Sequence, residues 1–303
     1  MPRRRTRPAP GLGPILGLAA ALLAAVAGAG PAACAGDASD EPPEATRQVP
    51  VAPAPAPRPP PRPPGGVERL EVRVLAEYPH DPEAFTQGLL MHDGLLYEST
   101  GRHGASELRR VAPETGEVLL RRELPGHFFG EGLALVPGSG GEPARLVQLT
   151  WQEETALVWD AADLTARGEL AYRGEGWGLA WDGSRLVMSD GSSWLSFREP
   201  AGFAEVERLR VTLAGRPLSR LNELEWVDGA LWANVWGSTE VVRIDPATGE
   251  VTGVADLSEL ERRLPPEASR GIDVLNGIAW WPERGTFLVT GKLWPRLFEV
   301  ALE

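Results

Sequence analysis

Phe85-Thr-Gln-Gly-Leu89 is the first of five related stretches in this chain. The others read Phe129-Gly-Glu-Gly-Leu133, Glu175-Gly-Trp-Gly-Leu179, Leu221-Asn-Glu-Leu-Glu225 and Leu275-Asn-Gly-Ile-Ala279. Aligned on the glycine, their anchors are Gly88, Gly132, Gly178, Glu223 (in glycine's place) and Gly277. The steps between anchors are about 45 residues, with a longer last step, and that period is the mark of a β-propeller blade. The repeat also sets one residue per unit at the same point around a central axis. Those residues are Gln87, Glu131, Trp177, Asn222 and Asn276, a polar and aromatic ring rather than a purely structural one.

Each unit reads onward as strands. His92-Asp-Gly94, Asp182-Gly-Ser184, Asp228-Gly229 and Pro282-Glu-Arg-Gly285 separate apolar runs, and Asp-Gly between such runs is a hairpin signal. The second unit carries a longer Gly-rich turn at Pro137–Pro143. Third strands follow at Glu107–Val111, Ala156–Trp159, Trp194–Phe197, Glu240–Ile244 and Arg296–Val300, and four units continue into a fourth. The fifth unit ends at its third strand, while Val67–Ala76 is a strand left over at the start. The expected fold is therefore all-β, a five-bladed propeller whose N-terminal strand completes the last blade and leaves no open edge. A short helix is expected over Asp256–Arg263, which accounts for the longest step.

The ends of the chain have another character. Arg3, Arg4, Arg5 and Arg7 precede the apolar run Ile15–Ala27, so residues 1–33 read as an export signal, too short and too rich in Ala and Gly for a permanent membrane helix. Cys34, the one cysteine, follows in Pro31-Ala-Ala-Cys34 and excludes an intramolecular disulfide. The placement resembles a lipobox, with Pro31 where an aliphatic residue is usual; ordinary cleavage near Ala33 or Ala35 is the alternative. Residues 34–66 are a Pro-rich tether that favours extended polyproline II, and 67–303 form the folded domain. The expected location is outside the cytoplasm, in the periplasm or cell envelope, with Cys34 as the site of lipidation and the only link to a membrane. The formal charge of −12 becomes more negative once the four N-terminal arginines leave, which argues against a nucleic-acid partner. A monomer is the default.

The four histidines, His80, His92, His103 and His127, have no metal-ligand spacing with cysteine or carboxylate, and there is no nucleophile elbow, phosphate loop or dinucleotide fingerprint. No cofactor and no metal are expected. Glu131 is the one carboxylate among the leading ring members; between Phe129 and Gly132 it would be partly desolvated, and desolvation raises a carboxyl pKa toward useful proton transfer. A satisfied buried Glu tying strands together is the alternative. A second ring, after the second strand of each unit, comprises Gly101, Trp151, Gly191, Trp236 and Lys292. Beside Glu131 and Trp177 these would make an aromatic pocket with one acid and one cation, unless the tryptophans only fill wedges between blades.

At these residues the sequence resembles the glutamine cyclotransferase family, the five-bladed propeller glutaminyl cyclases of plants and bacteria. The resemblance spans about residues 68–303. It is carried by Tyr78-Pro-His-Asp81, Ala84–Leu89, Tyr97-Glu-Ser-Thr-Gly101, Phe129–Leu133, Leu149-Thr-Trp151, Gly176–Leu179, Ser189-Asp-Gly191, Leu221–Glu225, Ala233–Trp236, Val274–Gly277 and Thr290–Pro295, in order and at repeat spacing. It implies a metal-independent conversion of N-terminal glutamine, on peptides or proteins, into pyroglutamate with loss of ammonia. By the same resemblance Glu131 is the general acid/base and Lys292 steadies the substrate carbonyl. Gln87 and Asn222 hold the substrate amide or amine, and Phe85, Trp151, Trp177 and Trp236 wall the pocket. Two other readings stand beside it. One is a non-catalytic propeller that binds peptides or cell-wall material, which has no need of Glu131 with Lys292. The other is a calcium-dependent lactonase-like propeller, for which one carboxylate, two Asn and one Gln are few oxygen ligands.

Overall fold

The computed structural model describes residues 66–266 and 271–303; the export signal, Cys34 and nearly all of the tether lie outside the described residues. Five antiparallel sheets follow the repeat. Blade I is Thr86–His92, Leu95–Thr100, Glu107–Ala112 and Glu117–Glu123. Blade II is Gly130–Val136, Arg145–Thr150, Thr155–Asp160 and Ala166–Ala171, and blade III is Leu179–Trp181, Leu186–Ser189, Trp194–Arg198 and Glu205–Arg210. Blade IV is Leu221–Val227, Ala230–Val235, Glu240–Ile244 and Val251–Asp256. Blade V joins Leu275–Trp281, Thr286–Gly291 and Arg296–Leu302 to the N-terminal strand Val72–Pro79. The first strand of each blade packs against the first strands on either side, and these contacts close into a ring. The molecule is a five-bladed β-propeller.

The hairpins form where the sequence marks them. Asp93 and Gly94 have φ of 49° and 71°, and Asp228 and Gly229 have 50° and 80°. Two successive positive φ values match the strand twist in a two-residue hairpin, which is why Asp-Gly is selected there. The fourth strands of blades I to III are mostly exposed, whereas first and second strands are mostly buried. Five apolar clusters form the core, one at each seam between adjacent blades: Leu108 and Leu146 share the I–II seam, Leu149 and Leu186 the II–III seam, and Phe197 and Leu231 the III–IV seam. Val241 and Phe298 share the IV–V seam, and Leu96 and Leu288 the V–I seam.

The anchor glycines are there for close approach. A Cβ on Gly88 would lie 2.6 Å from the Leu133 nitrogen, one on Gly132 2.6 Å from the Trp177 oxygen, and one on Gly178 1.9 Å from the Asn222 oxygen. Each glycine lets its strand touch the backbone of the next blade. Blade IV has Glu223 instead. Its fully buried carboxyl reaches across the axis to accept the Leu89 N–H at 3.3 Å and the Ile278 N–H at 2.8 Å.

The start of the domain differs from the sequence expectation. The stretch expected as one strand, Val67–Ala76, is two. Glu68–Leu70 runs parallel to Val251–Asp256 on the outer edge of blade IV, and Val72–Pro79 then closes blade V. The switch falls at Glu71, whose N–H and C=O pair with Glu303. The short helix is present as Ser258–Arg263, with Leu260 buried in the IV–V seam.

Candidate active site

The ring residues sit where the inner strands are bulged. The register of the first hairpin shifts between Thr86 and Gly88, that of blade II between Gly130 and Leu133, that of blade IV between Leu221 and Leu224, and that of blade V between Leu275 and Ile278. A bulge re-aims the side chain it carries, and these bulges carry Gln87, Glu131, Asn222 and Asn276. All four are buried. In blade III the strand begins only after Trp177 and Gly178.

Glu131 is the centre of the group. Its Oε1 accepts the Gln87 Nε2–H at 2.8 Å, and the Gln87 Oε1 accepts from Asn276 Nδ2 at 3.3 Å. Asn276 also donates to the Thr86 carbonyl at 3.0 Å. The amide of Gln87 is thus largely engaged in fixing Glu131. Ser99 Oγ donates to the Glu131 carbonyl, and Gln148 donates to Ser99 Oγ at 2.8 Å, which holds the backbone from the neighbouring strands. Burial pushes the Glu131 carboxyl well above its usual pKa; Lys292 pulls against this, and Glu153 and Glu175 add to it. Lys292 is buried too, and its ammonium is pushed below its usual range by burial, with Glu131 and Asp273 opposing. Its Nζ lies 4.8 Å from the centre of the Phe85 ring.

Lys292 is held by its backbone. Its N–H donates to the Val274 carbonyl at 2.9 Å and its own carbonyl accepts from Asp273 at 2.9 Å. Two residues on, the Trp294 carbonyl faces His80 Nδ1 at 2.6 Å and the Trp294 indole donates to the Asp273 carbonyl at 2.9 Å. Gly291 has no side chain because a Cβ would lie 2.3 Å from that indole.

Aromatic rings stand in contact beside this group. Phe85 meets Phe129 edge-on at 6.1 Å, Phe129 meets Trp151 at 5.7 Å, and Trp177 meets Trp236 at 6.1 Å. The two glycines of the second ring make room for them: a Cβ on Gly101 would lie 2.2 Å from the Phe129 ring, and one on Gly191 2.7 Å from Trp177. Trp236 stands outermost and is 41% exposed. Sequence reasoning passed over Glu175, although it opens the third repeat. Its carboxylate accepts both the Trp151 and the Trp177 indole N–H at 3.0 Å.

Two cavities lie away from this group. One, of about 830 Å³, lies between blades II and III and is bordered by the Pro137–Pro143 turn and Trp181; it contains none of the ring residues. The other, of about 110 Å³, lies among the inner strands beside Glu225. Glu225 is only part-buried by area because it faces this small space, yet protein surrounds it, and burial raises its carboxyl pKa to about 8. Among the described residues no three His, Cys, Asp or Glu side chains are placed to hold a metal ion.

Comparison with known proteins adds three findings. The family model for glutamine cyclotransferase matches residues 49–302. A glutaminyl-peptide cyclotransferase of Arabidopsis thaliana is 43% identical over 235 residues, which is 77% of this chain and 72% of that protein. The crystal structure of Myxococcus xanthus glutaminyl cyclase superposes with a TM-score of 0.69 at 44% identity, covering 78% of this chain and 98% of that one.

Proposed function

The chain belongs to the glutamine cyclotransferase family and converts N-terminal glutamine to pyroglutamate, and we propose that Glu131 moves the protons in that reaction. The observation that carries this role is a buried carboxyl of raised pKa, fixed by Gln87 beside Lys292 within an aromatic wall.

The chemistry asks for little else. The α-amine nitrogen attacks its own γ-carboxamide carbon, a C–N bond forms, and the carbonyl oxygen takes up negative charge. Ring closure is intramolecular, so holding the side chain folded back supplies much of the rate. Glu131 as carboxylate takes the proton that the attacking nitrogen sheds. As carboxylic acid it returns that proton to the leaving nitrogen, the old C–N bond breaks, and ammonia departs. The raised pKa suits both halves of the cycle. Lys292 faces the developing oxyanion. The Asn222 Oδ1 is buried without a protein partner among the described residues and is free to accept an N–H of the substrate. Phe85, Trp151, Trp177 and Trp236 exclude water that would otherwise hydrolyse the amide.

The natural substrates under this reading are peptides or proteins with N-terminal glutamine, met outside the cytoplasm in the periplasm or cell envelope. Residues 1–33 support export, Cys34 as the lipidated residue supports a membrane anchor, and the Pro-rich tether supports a spacer for a monomeric domain. Mass spectrometry of the mature N-terminus checks this: a diacylated Cys34 supports the anchor, and an unmodified N-terminus at Cys34 or Ala35 contradicts it. For the reaction, the full chain incubated with a Gln-initiated dipeptide should release one ammonia per pyroglutamyl product. Ammonia without the cyclic product would mean hydrolysis and would overturn the assignment.

A further inference from the structure

Three residues before each anchor the repeat places Phe85, Phe129, Glu175, Arg220 and Val274. In blades I and II this position is a phenylalanine of the wall. In blade III it is a half-buried carboxylate. The wall itself shows why. Ring contacts run from Phe85 through Phe129 to Trp151, and again from Trp177 to Trp236. Glu175 spans the interval between Trp151 and Trp177. Its Oε2 accepts both indole N–H groups at 3.0 Å, and its Oε1 accepts Gln152 Nε2–H at 2.9 Å.

Indole N–H is a donor only, so an indole half-buried at a protein seam needs an acceptor. A phenylalanine at 175, as in the first two blades, would leave both indoles unpaired. Bonds to an ionised carboxylate are the stronger kind, and those bonds, with burial opposing, leave the Glu175 carboxyl below its usual pKa. Its ionised form is therefore favoured over that of a free carboxylate.

We propose that Glu175 is a positioning residue for cyclisation, clamping Trp151 and Trp177 across the seam between blades II and III so that the pocket is shaped to the folded-back glutamine side chain. This rests on the cyclase reading of the site. The same charge also acts on Glu131. The groups facing Glu131 are Lys292 from blade V, which favours its ionised form, and Glu153 and Glu175 from blades II and III, which disfavour it; the Tyr172 phenol also lies within electrostatic reach. Glu175 thereby raises the affinity of the Glu131 carboxylate for the proton that the attacking nitrogen sheds.

The test compares Glu175→Gln and Glu175→Ala in the full chain. Glutamine keeps an acceptor oxygen without the charge; alanine keeps neither. With a Gln-initiated dipeptide, Glu175→Ala should raise KM on the order of tenfold while kcat changes less than about threefold. Glu175→Gln should stay within about threefold of the wild-type KM. In both, the limb of the pH–rate profile that reports Glu131 should move to lower pH. In ¹H–¹⁵N spectra two indole N–H signals should shift in Glu175→Ala and remain near their wild-type positions in Glu175→Gln. A wild-type KM in Glu175→Ala, or equal KM losses in the two variants, would overturn the clamp. Unchanged indole signals in Glu175→Ala would also overturn it. A wild type that releases no ammonia, with indole signals that still follow the acceptor, would remove the cyclase reading and leave the clamp standing.

Discussion

Glu131 is costly to the fold, and the proposed mechanism is what asks for it there. A carboxyl whose folded pKa lies above its unfolded one binds its proton more tightly when folded. Its stabilising effect is therefore complete below the unfolded pKa and is lost as pH rises through the folded one. Glu131→Gln keeps an acceptor for the Gln87 N–H and removes that penalty. At pH 8 this variant should melt at a higher temperature than the wild type, by differential scanning calorimetry, while kcat falls about 10²–10⁴-fold. A lower Tm would show that the ionised carboxylate is stabilised by something other than the contacts described. Lys292→Met, which keeps the bulk over Phe85, should lower kcat by about 10²–10³ if the ammonium meets the oxyanion. The ring members were legible in the sequence because the repeat fixes their place and they differ where a scaffold position would agree. The role of Glu175 was not. Its signal was the change from Phe85 and Phe129 to an acid at one repeat position, but which groups it joins depends on the seam, and local sequence does not encode seams.

At the scale of elements, the connections that carry the site are tied down by buried polar groups. His80 follows the strand Val72–Pro79 and faces acceptors on both nitrogens, the Trp294 carbonyl and Glu98 Oε1 at 3.1 Å. Two acceptors call for the doubly protonated ring. Burial alone would lower the His80 pKa, but Glu98 and the Trp294 carbonyl outweigh it and the net shift is upward. For Glu98, burial is likewise outweighed by His80, Arg109 and Thr86, and the shift is downward. The sign follows for each. The His80 contribution is full below its unfolded pKa and is lost as pH rises through the raised folded value. The Glu98 contribution is full above its unfolded pKa and is lost as pH falls through the depressed one. The pair therefore supports the fold best at mildly acidic pH, between the unfolded values of the carboxyl and the imidazole. Glu98→Ala should cost about 3–5 kcal/mol by urea unfolding, since it strands a buried imidazolium. His80→Gln should loosen the segment holding Lys292 and lower kcat as well as stability. The bulges were invisible beforehand: Gln87 and Glu131 sit in runs that read as plain strands, and a register shift is a property of two strands.

For the whole molecule, closure is the largest single feature. Val72–Pro79 pairs along the length of Arg296–Leu302, so the two ends of the domain are held in one sheet. Removing residues 1–79 would leave Arg296–Leu302 as an open edge and strip the V–I seam of Tyr78. Such a truncation should lose cooperative unfolding by circular dichroism, whereas removal of residues 1–65 should preserve it. The number of blades and their closure were readable because the repeat, the missing fourth strand and the surplus first strand had to balance. The division of Val67–Ala76 at Glu71 was not, because Leu70, Val72 and Val74 alternate with polar residues straight through Glu71 while the partner changes from blade IV to blade V. The cavity between blades II and III was unforeseen for a similar reason: the Pro137–Pro143 turn borders it, but its far side comes from Pro200 and Ala201 of the next blade.

The proposed proton transfers all pass through one carboxyl group, that of Glu131. The full chain and its Glu131→Gln variant, incubated side by side with a Gln-initiated dipeptide, can be followed by mass spectrometry for the pyroglutamyl product and by ammonia release. The wild type should convert the peptide with equal yields of both. The variant, folded and still able to bind the peptide, should form product at least about a hundredfold more slowly. Undiminished cyclisation by the variant would contradict the central claim.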